Sequence, residues 1–218
     1  MSAILIKRFL SLLLIITPIG LTSFTFSHFA IPSSSSFSYC LLQGSKVSIE
    51  GTTNVNEFTC FSQETYSPQS GNFFINDAGN TITFQDVILN VSAQSLECGN
   101  VVMNKNLCQT LSADKYPFIV VELEQAGTKT GESINFSQGM RMTGKLFISL
   151  GGKRHEHLIE FVAKQNSDGV YHFIGEHNVS LSQYNLDPPT ALFGLIKVND
   201  IIKVKFDLLV KANGTFLQ

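Results

Sequence analysis

One grouping of side chains in this sequence has types and spacing that point to chemistry. His155 and His157 stand two residues apart, and His177 follows on the next apolar run. In an extended strand, residues i and i+2 project from one face, so His155 and His157 share a face with Ile159, Phe161 and Ala163. The matching set on the next run is Tyr171, Phe173, Gly175, His177 and Val179. A loop of odd length around Asn166–Gly169 sets these two apolar faces together and brings the three histidines to one side. An even loop would set apolar positions against polar ones. Imidazole nitrogens gathered in this way can ligate a metal or hydrogen-bond the polar head of a ligand. As partly wet residues at a rim they would have no specific role.

Other chemistry finds little support. There is no GxSxG, no paired-carboxylate segment, and neither GxxxxGK[ST] nor GxGxxG. The expectation is a protein that is not an enzyme and uses no cofactor and no metal. Cys40, Cys60, Cys98 and Cys108 follow no CxxC spacing, which argues against a zinc knuckle or a thioredoxin-like motif. In an oxidising compartment an even count favours disulfides. Spacing alone leaves three pairings open, besides free thiols that act as small hydrophobes.

The compartment is read from the start of the chain. Lys7 and Arg8 precede an apolar stretch, Phe9 to Leu21, interrupted at Ser11, Thr17, Pro18 and Gly20. This is the build of a secretory signal peptide, and the interruptions favour cleavage over an uncleaved anchor. A periplasmic or secreted location is expected. Residues 1–30 are therefore read as the signal, 31–38 as a Ser-rich spacer, 39–213 as one domain and 214–218 as a tail. The chain of 218 residues is long enough for a real apolar core. With 15 basic against 17 acidic residues it lacks the basic balance of a nucleic-acid binder. At 44% apolar and 15% charged it is not a disordered chain.

From Tyr39 onward the pattern alternates. Val47 and Ile49 alternate with polar residues; so do Ile119, Val121 and Leu123, the run from Met140 to Leu150, and the run from Ile202 to Val210. Such runs are strands with one buried and one wet face. Ile82 and Phe84 have the opposite parity to Val87, Leu89 and Val91, and a bulge at Gln85–Asp86 would put both sets on one face. One helix is expected from Asn100, a fair N-cap, to Ser112, ended by Lys115-Tyr116-Pro117. With about nine strand-like runs and one helix, an antiparallel barrel and a sandwich fit equally well.

Several pieces, in order, resemble the YceI family of exported bacterial lipid-binding proteins, in particular its Bacteroidetes-type branch. They are Gly51-Thr52-Thr53-Asn54-Val55 with Phe58-Thr59-Cys60; Cys98-Gly99-Asn100 with Met103-Asn104; Tyr116-Pro117-Phe118-Ile119; Gly144-Lys145-Leu146-Phe147-Ile148; and the segment Pro188 to Val198. The likeness spans Gly44 to Ala212. The sequence departs from the pattern at Leu150-Gly151-Gly152-Lys153.

The resemblance implies an all-β fold: an eight-stranded antiparallel, lipocalin-like barrel with one packed helix. It implies an isoprenoid, quinone-like or fatty chain held inside, and a disulfide between Cys60 and Cys98. Cys40 and Cys108 then remain as a second candidate pair. An eight-stranded barrel has room for one small ligand. Inward parity assigns its wall to Val47, Ile49, Phe84, Met142, Leu146, Ile148, Phe161, Phe173, Val204 and Phe206, with the polar head near His155, His157 or His177. The segment from Asp187 to Lys197 is expected to fold over one end as a lid, because Ala191, Leu192, Phe193, Leu195 and Ile196 are too apolar to stand free in water. The alternative is a barrel filled by its own side chains that binds an envelope protein through its loops.

Overall fold

The computed structural model describes residues 35–191 and 195–213. The signal peptide and its cleavage region lie outside the described residues.

Eight antiparallel staves follow one another in chain order and close into a barrel. The first is β1 (Ser35–Leu41) continued by β2 (Lys46–Thr52), and the second is β3 (Glu57–Ser62) continued by β4 (Gln69–Ile75). The third is β5 (Thr81–Gln85) and β6 (Ile88–Ser92), followed by the short β7 (Leu96–Glu97). After helix α1 (Val101–Thr110) come β8 (Phe118–Thr128), β9 (Met140–Leu150), β10 (Lys153–Gln165) and β11 (Val170–Ser180). A two-stranded hairpin, β12 (Thr190–Ala191) with β13 (Ile196–Lys197), precedes the last stave, β14 (Ile201–Asn213). The ring closes because β14 pairs with β1 over Val210–Asn213 and with β2 over Lys203–Asp207. Closure leaves no open edge in the ring, and it decides for the barrel over the sandwich.

The first stave begins earlier than composition suggests. Ser35 to Ser38, read as spacer, pair with Phe73 to Ser70 of β4. Phe37 is buried. The serines alternate with Phe37 and Tyr39, so the low-complexity run hides a strand with an apolar inner face.

The parity change in the third stave is a bulge. Asp86 takes a positive φ of 61°, and the pairing with β8 shifts between Thr83↔Gln125 and Ile88↔Glu122. Residues of both parities, Ile82 and Val91 among them, are buried. Gly151 and Gly152, where the sequence departs from the family pattern, form a two-residue turn between β9 and β10 with φ of 56° and 78°. Two positive φ values favour glycine, and they match the primed turn that suits the strand twist.

Helix α1 starts as expected. The Asn100 side chain accepts from the backbone N–H groups of Val102 and Met103. It ends at Thr110, two residues before Ser112 and well short of Pro117. Ser112 adopts φ 52°, its N–H donates to the Gln109 carbonyl, and the Ala113 N–H donates to the Cys108 carbonyl. These two bonds make a Schellman stop, with serine where glycine is usual.

Two buried apolar clusters cap the barrel interior. One, with Leu111, Leu150, Leu181, Tyr184 and Leu186, sits at the end that carries α1 and the 181–200 segment. The other, with Phe37, Phe73, Phe136, Met142 and Tyr171, sits at the opposite end.

Candidate functional site

Between the two clusters lies a cavity of about 340 Å³. Its wall comes from the inner faces of the staves. All ten residues chosen by inward parity line it: Val47, Ile49, Phe84, Met142, Leu146, Ile148, Phe161, Phe173, Val204 and Phe206. Alternation places them there, because each is flanked on its own strand by residues of the outer face. Residues that parity on the strands could not supply also line the cavity. Leu107, Thr110 and Leu111 come from the helix and its cap, and Pro189 and Val198 flank the β12–β13 hairpin. Leu107 and Leu111, four residues apart, share one apolar stripe of the helix, and Pro189 belongs to the segment expected to fold over one end.

Glycines shape this wall. At Gly51, Gly144 and Gly175 the space of a side chain is taken by a phenylalanine ring of a neighbouring stave: Phe58, Phe161 and Phe206 respectively. Each ring can then lie along the wall and leave the axis open.

The histidines separate. His177 lines the cavity, whereas His155 and His157 do not. His157 is the buried polar residue of the described chain, 8% exposed. Its Nδ1 lies 2.9 Å from Nε2 of His177, and its Nε2 lies 2.7 Å from the Tyr184 hydroxyl. That hydroxyl donates to the Ile148 carbonyl at 3.3 Å. The His155 ring stands edge-on to Tyr184, 4.8 Å between centroids. Burial pushes the pKa of His157 down, helped by repulsion from His177 and His155. Burial also lowers that of His177 and pushes the Tyr184 phenol up to about 12. His157, His177 and Tyr184 are therefore each held toward the neutral form.

The loop between β10 and β11 has the odd parity that brings these faces together. Gln165 pairs with Tyr171 and Phe161 with Gly175. The ladder stops at Phe161↔Gly175, although both strands continue. Above that point the His157–His177 contact and Tyr184, from the 3-10 turn Ser182–Tyr184, bridge the seam. Tyr184 could not be foreseen from alternation, because it arrives from a loop. Among the described residues no group of three or more His, Cys, Asp or Glu side chains is arranged to hold a metal.

A disulfide joins Cys60 of β3 to Cys98, just before the helix. It ties α1 to the barrel end, where the Asn104 side chain accepts from the Cys98 N–H and donates to Glu97. The second candidate pair does not form, and Cys40 and Cys108 are free. Cys40 sits on β1, between β4 and β14, whereas Cys108 sits on α1 with its Sγ on the Ala93 carbonyl. The expected lid is partly present. Its two short strands pair, and Asn54 clamps it by donating to the Leu195 carbonyl and accepting from the Lys197 N–H. Leu192 and Phe193 lie outside the described residues. Leu195, expected to be covered, is 74% exposed: the clamp holds its backbone while its side chain stands at the hairpin end.

No protein-family model and no curated protein matches the sequence. Solved structures do match. BcnA of Burkholderia cenocepacia is 14% identical with a TM-score of 0.51, over 76% of this chain and 96% of that one. A polyisoprenoid-binding domain from Saccharophagus degradans, implicated in plant cell wall breakdown, is 13% identical with a TM-score of 0.55, over 80% of this chain and 98% of that one. The YCEI protein of Campylobacter jejuni matches at 13% identity and a TM-score of 0.44, over 67% and 81%. The chain thus has the fold of BcnA and of the Saccharophagus domain, an eight-stranded lipocalin-like barrel with one packed helix, as its resemblance to the YceI family implied.

Proposed function

We propose that the chain is an exported binding protein that holds an apolar chain, isoprenoid, quinone or fatty-acid-like, inside its barrel. The observation that carries this reading is the cavity of about 340 Å³ with an almost wholly apolar lining. Pockets for small ligands start at about 300 Å³, and a barrel filled by its own side chains would leave no such space. The name of the Saccharophagus domain supports an apolar ligand. Export to the periplasm or beyond rests on the basic and apolar start of the sequence. Binding without catalysis is favoured because the cavity lining is almost wholly apolar and the histidine on it, His177, is already hydrogen-bonded to His157.

The test is native mass spectrometry of the protein purified from its own host, followed by lipid extraction. The expected result is a mass increment that is recovered as a lipid in the extract. Protein of unloaded mass, with no lipid extracted from it and no uptake of added lipid, would overturn the reading and leave the loops as the functional surface.

A further inference from the structure

Resting on that reading, we propose that the apolar chain enters and leaves the barrel sideways, through a window in the wall between β10 and β11 that the His157–His177 contact bars.

The wall is unevenly knit. β10 pairs with β9 over eleven positions, and β11 pairs with β14 over eleven. Between β10 and β11 five positions pair, from Gln165↔Tyr171 to Phe161↔Gly175. Among the described residues no ladder joins 153–160 of β10 to 176–180 of β11. The far end of this gap is crossed by segment 181–186, where Leu186 packs against Gly151 in the turn between β9 and β10. The gap is thus bounded by a ladder on one side and a crossing segment on the other. Between them His157 and His177 meet at 2.9 Å.

The cavity lies directly behind the gap. Ile159 of β10 and His177 and Val179 of β11, all from the stretch without a ladder, line it. An apolar sill lies in front. Leu158, on the unladdered part of β10, is 64% exposed, and Val162 and Ile174, paired one rung inside the last, are exposed too. Alternation turns these three to the outer face, away from Ile159 and Phe161. Charge along the opening is cancelled: Glu156, Glu160 and Glu176 pair with Lys145, Lys129 and Lys203 respectively. A chain moving from the sill to the cavity therefore keeps apolar contact on both sides of the wall and passes no unpaired carboxylate of the flanking strands.

The same seam is the easiest to open. Parting β9 from β10, or β11 from β14, breaks a long run of backbone hydrogen bonds. Parting the gap asks two imidazole rings to separate at one contact, and His157 to leave the Tyr184 hydroxyl. Local opening is cheapest where the fewest packed and hydrogen-bonded groups must be given up. His157 does not line the cavity, so its part is to bar the window, not to hold the ligand.

A doorway has a kinetic signature. A change at its sill alters entry and exit by one factor and leaves affinity alone, because only the barrier moves. Entry and exit rates of cis-parinaric acid are read by stopped-flow fluorescence on the full protein stripped of lipid, and its affinity by titration. Leu158→Glu, at an exposed outer position, should slow both rates about tenfold with Kd unchanged within about twofold, since the chain must pass a carboxylate. His157→Leu keeps an apolar side chain in the buried place and removes the bar, so it should speed both rates about three- to tenfold. Leu195→Glu, on the hairpin at the barrel end, probes the other route and should leave both rates as they are. Unchanged rates in Leu158→Glu, equal slowing by Leu195→Glu, or an affinity lost through one rate alone would each overturn the window while the binding function stands. Failure of both cis-parinaric acid and farnesyl methyl ether to bind would overturn the binding function, and the window with it.

Discussion

Gly175 on β11 and Phe206 on β14 stand opposite each other in the ladder, and the Phe206 ring fills the space that a side chain on Gly175 would need. A Cβ there would meet the ring at 2.5 Å and the Glu160 carbonyl at 3.0 Å. The glycine is what allows the ring to lie against the wall. Gly175→Ala should therefore swing Phe206 toward the axis. The expected cost is about 1–3 kcal/mol of stability, read from urea unfolding, together with weaker binding of farnesyl methyl ether. Unchanged stability and binding would show that the ring is not held in this way.

A second prediction uses the space on the axis. Ile148 lines the cavity and is only partly buried by its neighbours. Ile148→Phe should leave the fold intact at a cost below about 1.5 kcal/mol, because the added volume enters a void. It should also displace a bound chain. Met142 also contributes to the wall but is 2% exposed, so Met142→Phe should show the larger overpacking cost of about 1–3 kcal/mol. Comparable costs at both positions, with no loss of binding for Ile148→Phe, would mean that the chain lies elsewhere.

The disulfide gives a third. Its two cysteines are 38 residues apart, and in the chain-entropy view such a closed loop contributes about 3–4 kcal/mol. Cys60→Ala combined with Cys98→Ala should lower the unfolding free energy by that order. In the unreduced, denatured wild-type protein, maleimide should label Cys40 and Cys108 but not Cys60 or Cys98. A peptide joining Cys40 to Cys108 would contradict the free state of both.

The seam predicts a pH dependence. His157 and His177 have pKa values lowered by burial, so the folded protein resists their protonation more than the unfolded chain does. Their contribution to stability is complete above the ordinary histidine value of about 6.5. It is lost as pH falls from there through the lowered folded values. The carboxylates of Glu160 and Asp200 are also lowered, by Lys129 and by Ser180 and Ser182 respectively. Their loss belongs to a more acid window, below about 4.5. The urea midpoint of the wild type should fall between pH 7.5 and 5.5. In a His157→Gln, His177→Gln double variant this fall should be much smaller. An equally steep fall would assign the dependence to other groups.

How far the sequence alone reaches can be seen stave by stave. A strand with one wet face writes its orientation into its own residues, so period-two alternation was enough to place Met142, Leu146, Phe161, Phe173 and Phe206 on the inner face. The parity change across Gln85–Asp86 was enough to announce a bulge, and Asn100 to start the helix. These are local properties, decided within a few residues. Alternation tells which side a residue takes, but not who its neighbours are. It could not show that β1 closes on β14, because that pairing joins residues at the two ends of the domain. It gave His157 and His177 the same parity, yet only His177 reaches the cavity. The difference comes from height along the barrel and from Tyr184, which a loop delivers to the seam. The serine run hid β1 for the same reason: Ser35 to Ser38 become a strand only when β4 and β14 offer them partners. Backbone pairing and side-chain hydrogen bonds between distant segments are set by register, and register exists only once the ring has closed.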